Sequence, residues 1–361
     1  MAASDALLEP VRLGPYMLKN RIVMSPMTRN RSPGEVPNRL NAEYYAQRAG
    51  AGLIVTESTA ISPQGLGWID SPGLYSSEQL SGWRTVTDAV HARDGRIFVQ
   101  LWHTGRCSHV SVQPGGQAPV APSVVPSRGR SRTPGGRLEH SSPRALEPDE
   151  LPGIVAQYRQ AAANALAAGF DGVEVHAGNG YLLDQFLRDC TNRRTDAYGG
   201  SAHNRCRLMW GVLRAVAQEC GRDRVGVRIS PTNPHHEMFD SDPENLFLTA
   251  VAGLNDIAPV YLHVVEGATA PGAPQIPFDY SKLRSLFRGT YIANNGYTRE
   301  RALQALTERT ADMFAFGRFY VANPDLAERL RVGASLNALD PETLYDGGAR
   351  GYTDYPPLAA S

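Results

Sequence analysis

Short apolar runs rich in β-branched and aromatic residues recur along the chain and alternate with stretches of helical periodicity. Such runs, bounded by glycine, proline or polar segments, are typical of strands buried on both faces. Eight of them predict strands, at Ile22–Ser25, Leu53–Glu57, Ile97–Leu101, Gly172–His176, Val225–Ile229, Tyr261–Val265, Tyr291–Asn294 and Met313–Phe316. Eight successive β/α units indicate an α/β fold with a closed parallel (β/α)8 TIM barrel.

The helical half of the pattern is clearest after Asp149. Apolar residues there follow i, i+3, i+4, i+7 spacing, at Leu151, Ile154, Val155, Tyr158, Ala161, Ala162, Ala165 and Leu166. Gly169 then supplies a stop signal before strand Gly172–His176. A doubly wound open sheet fits the same alternation. However, no G-x-G-x-x-G motif opens a helix after the first predicted strand, so the barrel is favoured.

The chain has 361 residues, more than an ordinary domain. An α/β barrel of about 250 residues with insertions reaches this length as one domain, so we expect residues 1–361 to form a single domain. The segment Ser111–Pro143 is rich in Pro, Gly, Ser and Arg and interrupts the third unit before its helix. It is interpreted as a loop excursion over the carboxyl ends of the strands, with a plain surface loop nearly as consistent.

Charge and cysteine content restrict the classes of molecule that this protein is expected to bind. Lysine plus arginine equals aspartate plus glutamate, at 36 each, so no basic field favours nucleic acid or an anionic membrane. The cysteines Cys107, Cys190, Cys206 and Cys220 form no C-x-x-C pair, which argues against a zinc site, an iron–sulfur cluster or a disulfide framework, and we expect no metal. Met1–Pro10 lacks the features of an export signal. We expect a cytoplasmic protein, a monomer or homodimer, with small-molecule partners.

Polar side chains and glycines stand where the predicted strands end. In barrel enzymes these carboxyl ends carry the active site. The residues are Thr28, Glu57, Ser58, Gln100, His103, His176, Arg228, His263, Asn294, Asn295, Gly296, Gly317 and Arg318. For Glu57 and His263, a simple hydrogen-bonding role at the barrel rim is equally consistent.

One strand end carries three different polar groups, since His176-Ala-Gly-Asn179-Gly-Tyr181 follows an apolar run. An imidazole and a carboxamide can both donate a hydrogen bond to one oxygen, while a phenol stays protonated at neutral pH and can supply a proton. That combination suits reduction of an activated double bond. Taken alone, the same residues also fit a strand end followed by a turn.

Several segments in register extend this motif along nearly the whole chain. They are Ser25–Arg29, Gln100–Arg106, His176–Leu187, Asn192–Ser201, Asn204-Arg205, Ala315–Arg318, Ala322–Leu326 and Gly351–Pro356. Together they resemble the Old Yellow Enzyme family of FMN-dependent ene-reductases, most of all its bacterial alkene, N-ethylmaleimide and nitroester reductases. The resemblance implies a barrel flavoenzyme.

The resemblance also implies how FMN is held. Residues matching Thr28, Gln100 and Arg228 bond the isoalloxazine ring, with the arginine near its N1 and carbonyl edge. A fixed cation there stabilises the negative charge of the reduced ring. Pro26 and Met27 are expected to give backbone contacts and a packing surface, and Ser58 belongs to the same predicted cofactor set.

A phosphate cradle is predicted after the last two strands, from Asn295-Gly296 and Gly317-Arg318. Barrel enzymes of many chemistries hold a phosphate there. A single cradle matches FMN rather than a dinucleotide, although a phosphorylated substrate would use the same groups. Many relatives have glycine at the position of Asn295 and glutamate at that of His203. Asparagine tolerates positive φ, so the cradle can be retained.

The implied reaction is a ping-pong cycle in which NADPH or NADH reduces the flavin, leaves, and is replaced by an electron-poor alkene that takes hydride from flavin N5. Enones, nitroalkenes and maleimides fit, with nitrate esters as a further class. His176 and Asn179 would bind the acceptor oxygen, and Tyr181 would protonate the α-carbon. Candidates for an apolar pocket wall are Trp68, Trp102, Tyr320 and Tyr352, with Tyr352 favoured because it lies in a family motif.

Two other functions remain open at this point. A metal-dependent barrel hydrolase could draw on His103, His109, His235, His236 and Asp240, but no H-x-H stands at a strand end. A flavin-storage protein would have no use for the set His176, Asn179 and Tyr181. The sequence does not define the physiological substrate, the choice of nicotinamide, the stereochemistry or the oligomeric state.

Overall fold

The computed structural model describes residues 5–359 and shows a barrel with helices outside it. The strands are β1 (Val11–Leu13), β2 (Tyr16–Leu18), β3 (Ile22–Met24), β4 (Leu53–Ala60), β5 (Ile97–Trp102), β6 (Val120–Ala121), β7 (Arg130–Thr133), β8 (Gly136–Glu139), β9 (Arg144–Ala145), β10 (Gly172–Ala177), β11 (Val225–Ile229), β12 (Tyr261–Val265), β13 (Thr290–Asn294) and β14 (Met313–Phe316). Residues 1–4, part of the stretch considered for an export signal, and residues 360–361 of the predicted domain lie outside the described residues.

The barrel closes in chain order, β3-β4-β5-β10-β11-β12-β13-β14, and β14 returns to pair with β3. All pairings around it are parallel. The predicted eight-stranded parallel barrel is therefore confirmed. The first strand of the barrel, β3, ends at Met24, one residue before the predicted end at Ser25. Strand β4 runs to Ala60, beyond the predicted Glu57, with a register shift between Val55 and Ser58.

Helices follow the barrel strands, as the alternating pattern predicts. They are α1 (Arg39–Gln47), α2 (Ser77–His91), α3 (Leu151–Ala167), α4 (Leu182–Leu187), α5 (Ala202–Cys220), α6 (Pro243–Ile257), α7 (Tyr280–Leu286), α8 (Arg299–Glu308), α9 (Arg318–Ala322) and α10 (Leu326–Val332). The helix predicted after Asp149 is α3. Within residues 5–359, none of these helices is both long and apolar enough to cross a bilayer.

Two apolar layers hold the barrel together because its strands are buried on both faces. The outer layer packs strands against helices and includes most of the buried apolar residues. The inner layer fills the barrel with Leu13, Leu18, Val23, Leu53, Val55, Phe98, Tyr261, Ile292, Met313 and Ala315. Two of these, Leu13 and Leu18, come from the antiparallel hairpin β1–β2, which therefore contributes to the barrel interior.

The predicted excursion 111–143 is more ordered than a plain loop, since it contains the antiparallel hairpin β7–β8. The hairpin contacts the segment after β4, where Trp68 Nε1 donates to the Arg130 carbonyl at 3.3 Å and Ile69 N to the Arg132 carbonyl at 3.1 Å. The Arg132 guanidinium also lies 3.2 Å from the Asp346 carboxylate. The hairpin thus lies over the segments that follow the carboxyl ends of the strands.

The carboxy-terminal segment returns to the first barrel strand. Two buried arginines after β3, Arg29 and Arg31, donate to its backbone carbonyls. Arg29 reaches Leu344 O at 2.9 Å and Gly351 O at 2.6 Å, and Arg31 reaches Thr343 O at 2.6 Å. A buried guanidinium is costly unless its donors are satisfied, so these contacts fix the tail against the barrel.

Candidate active site

The polar motif predicted at a strand end lies where β10 gives way to α4. His176 is the penultimate residue of β10, and Tyr181 is the N-cap residue of α4. Between them, Asn179 and Gly180 have φ of 55° and 79°. Two left-handed residues in succession reverse the chain sharply. The Tyr181 ring therefore faces back toward His176, with the ring centroids 5.2 Å apart.

Aromatic rings surround Tyr181. Trp68 and Trp102 stack at 5.0 Å, and Tyr181 meets both edge-on, at 6.0 and 5.3 Å. Burial raises the pKa of the Tyr181 phenol well above its usual value, and no hydrogen bond contributes to this shift. The predicted wall residues Trp68 and Trp102 are thus beside the predicted proton donor, which stays protonated at neutral pH.

His176 is only 2 % exposed, and its Nδ1 is buried without a hydrogen-bond partner in the described part of the chain. Burial, together with the neighbouring Arg228 cation, lowers the pKa of His176 well below its usual value. Its imidazole is therefore neutral at neutral pH. A neutral imidazole donates through a single N–H, which suits binding to one ligand oxygen.

Asn179 is fixed by hydrogen bonds on both its backbone and its side chain. Its backbone N donates to Ser230 Oγ at 2.7 Å, and its Oδ1 accepts from Asn233 Nδ2 at 2.9 Å. Because the carboxamide oxygen is occupied, the amide NH2 is left as the donating group. This arrangement fits the predicted role of Asn179 as a second donor beside His176.

A buried chain of hydrogen bonds crosses the barrel below this motif. Ser58 Oγ donates to Gln100 Oε1 at 2.6 Å, and Gln100 Nε2 donates to Glu174 Oε1 at 2.7 Å. The other carboxylate oxygen of Glu174 accepts from Tyr261 Oη at 3.0 Å and contacts His263 Nδ1 at 2.8 Å. The predicted cofactor residues Ser58 and Gln100 are thereby brought together.

Glu174 is the charged centre of that chain. Burial alone would raise its pKa, but His263, Arg228 and Gln100 outweigh burial, so the pKa of Glu174 is lowered and the carboxylate is ionised. Burial lowers the pKa of His263, so its imidazole is neutral and acts on Glu174 as a hydrogen-bond donor rather than as a cation. Neither Glu174 nor Tyr261 is among the site residues predicted from the sequence. His263 proves to be part of this network. Glu57 bonds Arg29 N at 3.0 Å and Tyr45 Oη at 3.2 Å instead.

Arg228, on β11, lies beside His176, with which it pairs in register on the neighbouring strand β10. Its Nη2 donates to Asn294 Oδ1 at 2.8 Å and to Ser25 Oγ at 3.4 Å, while its Nε is buried without a partner among residues 5–359. A buried, unpaired guanidinium N–H needs an acceptor. The electron-rich edge of a flavin ring supplies one, so this site fits the cofactor that the sequence predicts.

The predicted phosphate residues lie together at the ends of β13 and β14. Asn295 and Gly296 have φ of 93° and 72°. The Asn295 side chain secures this turn, since its Nδ2 donates to Glu266 O and Ala268 O at 2.9 Å each. Asn295 thus adopts the left-handed conformation that the departure from glycine placed in question.

The neighbouring glycine and arginine complete the cradle. A Cβ on Gly317 would lie 3.1 Å from Met27 Sδ, a tight contact, so the glycine leaves Met27 room to pack against this turn. Arg318 is exposed, and its Nη2 donates to Thr269 O at 3.1 Å. Pro26 is buried, whereas Met27 and Thr28 keep partly exposed surface. Both can therefore contact a bound ring.

Tyr352 does not line this pocket, which corrects the sequence prediction. It is fully buried, stacks on Tyr44 at 4.0 Å and accepts from Asn41 Nδ2 at 3.1 Å. The guanidinium groups of Arg29 and Arg31 each lie 5.1 Å from its ring. Its family motif serves to attach the tail. Tyr320 is likewise buried, at 1 % exposure, and offers no surface to a substrate.

Two residues to which the sequence assigns no role in alkene reduction, Tyr345 and His236, lie near Tyr181. Tyr345, 43 % exposed, contributes to the raised pKa of Tyr181 and lines a cavity of about 560 Å³ beside the hairpin β7–β8. The His236 ring is 5.4 Å from that of Tyr181. Tyr345 follows no strand and belongs to no periodic pattern, so only the fold reveals its position.

Two of the side chains considered for a metal-dependent hydrolase, His103 and Asp240, have other partners. His103 Nδ1 accepts from Gly105 N at 3.1 Å, and Asp240 pairs with Arg205 at 2.6 Å. Among residues 5–359, the group that brings three possible ligand atoms together is Cys107, His140 and His236, which includes only one of the five side chains considered. The structure therefore gives the hydrolase reading no support.

A sequence profile of the NADH:flavin oxidoreductase / NADH oxidase family matches residues 6–337, most of the chain. The chain belongs to this family. It is an NAD(P)H:flavin oxidoreductase that acts on alkenes and uses FMN as cofactor, as the resemblance to Old Yellow Enzymes implied.

Individual relatives match over nearly their whole length. 12-Oxophytodienoate reductase 7 of Oryza sativa subsp. japonica is 44% identical over 370 residues, covering 97% of this chain and 94% of the relative. The solved structure of morphinone reductase in complex with tetrahydroNAD is 47% identical, with a TM-score of 0.93 and 98% of both chains covered. The Old Yellow Enzyme homologue from Zymomonas mobilis is 43% identical, with a TM-score of 0.93 and 98% and 100% covered.

Proposed function

We propose that this chain reduces the C=C bond of electron-poor alkenes, namely enones, nitroalkenes and maleimides, with nitrate esters as a further class. The observation that carries the proposal is the protonated, ring-enclosed phenol of Tyr181 beside two hydrogen-bond donors, His176 and Asn179. Two relatives are named as reductases of 12-oxophytodienoate and morphinone, names that denote ketones. An α,β-unsaturated ketone presents the acceptor oxygen that the two donors require.

His176 and Asn179 bind and orient the substrate. Bound FMN supplies the hydride chemistry, taking a hydride from NAD(P)H in one half-reaction and passing it to the alkene in the other. As hydride arrives at the β-carbon, negative charge grows on the carbonyl or nitro oxygen. The two donors, already fixed by burial and by Ser230 and Asn233, stabilise that charge without reorganising.

Tyr181 completes the reduction by protonating the α-carbon. Its high pKa keeps the proton on the phenol during substrate binding, and the carbanion-like centre is basic enough to take it. Trp68 and Trp102 exclude water from the same space. Protonation therefore comes from one positioned group rather than from solvent.

The remaining predicted residues are assigned to cofactor binding. Arg228, held by Asn294, would place a cation beside the ring edge that gains negative charge on reduction, and the hydrogen-bonded chain Ser58–Gln100–Glu174 would help to hold the ring. Thr28, Pro26 and Met27 would also help to hold the ring. The phosphate binds at Asn295, Gly296, Gly317 and Arg318. We further infer that residues 1–361 form one domain, acting as a monomer or homodimer.

A spectroscopic titration tests the function directly. The purified protein should be yellow, its heat-released cofactor should run as FMN on chromatography, and anaerobic NADPH or NADH should bleach it. Adding 2-cyclohexenone, a nitroalkene or N-ethylmaleimide should restore the oxidised spectrum with formation of the saturated product. Release of FAD would refute the cofactor assignment. Reduction by nicotinamide without reoxidation by any of the alkenes would refute the substrate class.

A further inference from the structure

Three side chains with metal-ligand chemistry meet beside the active site. Cys107 follows β5, His140 follows β8, and His236 lies in the segment after β11. The Cys107 Sγ and one ring nitrogen of each histidine all lie within 4.8 Å of one another. The predicted catalytic motif uses none of the three, and they are far apart in sequence.

All three side chains are largely buried, and the ligand nitrogens of the two histidines have no other partner among the described residues. Cys107 is fully buried and His140 is 8 % exposed. The Nε2 atoms of His140 and His236 are both buried without a hydrogen-bond partner in the described region. Buried polar atoms in folded proteins are normally satisfied, so two orphan imidazole nitrogens in one cluster point to a group that would occupy the space between them.

The histidines are already in the form that binds a metal. Burial lowers the pKa of His140 to about 4 and that of His236 well below its usual value, so both imidazoles are neutral. His140 Nδ1 lies 3.0 Å from Ser127 Oγ, a contact that can hold the ring proton on Nδ1 and leave the Nε2 lone pair free. Such an outer partner is typical of metal-binding histidines.

We propose that Cys107 Sγ, His140 Nε2 and His236 Nε2 bind one zinc ion. One thiolate and two imidazoles are ligands that Zn²⁺ accepts, and its preference for four ligands leaves one position for water. On binding, the Cys107 thiol loses its proton to solvent and a sulfur–zinc bond replaces the S–H bond. No oxidant or reductant is needed. This site departs from the sequence prediction that the protein holds no metal.

The present spacing corresponds to an open form of the site. Zinc–sulfur and zinc–nitrogen bonds of about 2.3 and 2.0 Å in a tetrahedron place ligand atoms about 3.3–3.6 Å apart. Because the present separations are within 4.8 Å, the three segments would approach by at most about 1.5 Å. His140 packs on Gly129, where a Cβ would lie 2.5 Å from its Cε1, so the hairpin carries that ligand as a unit. His236 and Glu237 have φ of 57° and 58° in a segment that must adjust.

The charges facing the site are mixed. The Arg106 guanidinium donates to His236 O at 2.7 Å and opposes a nearby cation. Glu237 Oε2 lies 3.9 Å from the same guanidinium and offsets it. The Cys107 thiolate formed on binding would remove a further part of the opposing charge. Cys107 Sγ also contacts Gly180 O at 3.5 Å, next to Tyr181, so the ion would join the hairpin to the segment after β11 at the rim of the active site.

Zinc binding to the FMN-loaded protein tests this proposal. After chelator treatment, competition with a chromophoric chelator should give one Zn²⁺ per chain, and zinc X-ray absorption should show one sulfur and two imidazole nitrogens. Cys107→Ser, His140→Gln and His236→Gln should each weaken binding at least about 100-fold. His235→Gln, one residue from a ligand but outside the cluster, should bind zinc as the wild type does. The melting temperature should rise with zinc only when the three ligands are present.

Two results would overturn the zinc site. One is a first shell without sulfur in the wild-type protein, and the other is unchanged affinity in Cys107→Ser. The flavin spectrum reports whether each variant is folded. Should a variant lose its flavin, the ligand count from X-ray absorption of the wild-type protein decides the question alone.

Discussion

The ring of Tyr261 lies across the Cα of Gly226 on the neighbouring strand. A Cβ at position 226 would stand 2.0 Å from Tyr261 Cζ, an impossible contact. Because the position is empty, the phenol can cross β11 and donate to Glu174 at 3.0 Å. One glycine thus permits the hydrogen-bond network that supports the proposed flavin site.

Gly226→Ala should displace Tyr261 and lower the free energy of unfolding by about 1–3 kcal/mol, in the range of overpacked cores. Urea denaturation at neutral pH measures this. Gly211→Ala is the matched control, since its Cβ would meet only Val155 Cγ2 at 3.8 Å within helix α5. That variant should be neutral or more stable by about 0.5–1 kcal/mol. Equal stability of Gly226→Ala and wild type would contradict the crossing of the ring.

Tyr181→Phe should separate the two half-reactions. The variant keeps the ring against Trp68 and Trp102 but has no proton to donate. Stopped-flow measurements should show near-normal flavin reduction by NADPH and reoxidation by 2-cyclohexenone slowed about 10²–10⁴-fold, as for a lost general acid. Nitrate-ester reduction, which protonates no carbon, should suffer less. Equal losses in both half-reactions would point to a binding role instead.

His176 and Asn179 should act together on the acceptor oxygen. Phenols should bind at this pair as phenolates and give a long-wavelength charge-transfer band with the flavin. Removing one donor should slow alkene reduction about 10²–10³-fold, and the double alanine variant should also lose the band. His109→Gln, whose ring contacts Ser111, serves as control. Retention of both the band and normal turnover by the double variant would exclude the pair.

Arg318→Ala should weaken FMN retention. A lost charge-assisted hydrogen bond to phosphate corresponds to about 1.5–3 kcal/mol, or roughly 10- to 150-fold in dissociation constant. Fluorescence of released flavin on dilution provides the measurement. Arg288→Ala removes a surface cation of the same charge away from the cradle and should leave retention unchanged. If both variants release FMN alike, the effect is one of net charge rather than of the cradle.

His103 should make stability depend on pH. Burial lowers its pKa to about 3, and Gly105 N donates to its Nδ1, so the folded protein keeps it neutral. Below about pH 6.5 the unfolded chain binds a proton at this histidine and the folded protein does not. The free energy of unfolding therefore decreases as the pH is lowered from about 6.5 to 3, by about 1.4 kcal/mol per pH unit. His103→Gln should therefore lose about 2 kcal/mol less than wild type between pH 7 and 5. The exposed His203→Gln should follow the wild-type profile.

The barrel was predictable because each strand is a contiguous and largely apolar run, and the motif His176 to Tyr181 because its residues are adjacent in sequence. Glu174 could also have been found. It lies two residues before His176 and so shares its inward face, as Tyr261 shares that of His263.

Other parts of the site depend on loop conformation. Tyr345 reaches the active-site rim through the tail, and Cys107, His140 and His236 meet only when three separate segments fold over the strand ends. No local periodicity encodes such meetings. Tyr352 was misplaced for a related reason, since its position in a family motif does not show which way its side chain points.

The contacts of Arg29 and Arg31 with the tail bear on how the polypeptide matures. The carbonyl oxygens that accept from Arg29 and Arg31, on Gly351 and Thr343, lie 322 and 312 residues later in the chain. During synthesis from the amino end, most of the barrel emerges while both guanidinium groups still lack these carbonyls. We expect the contacts between these two arginines and the tail to be absent from the nascent chain until residues 343–351 have left the ribosome. The first barrel strand would then be tied to the tail only after most of the barrel has been translated.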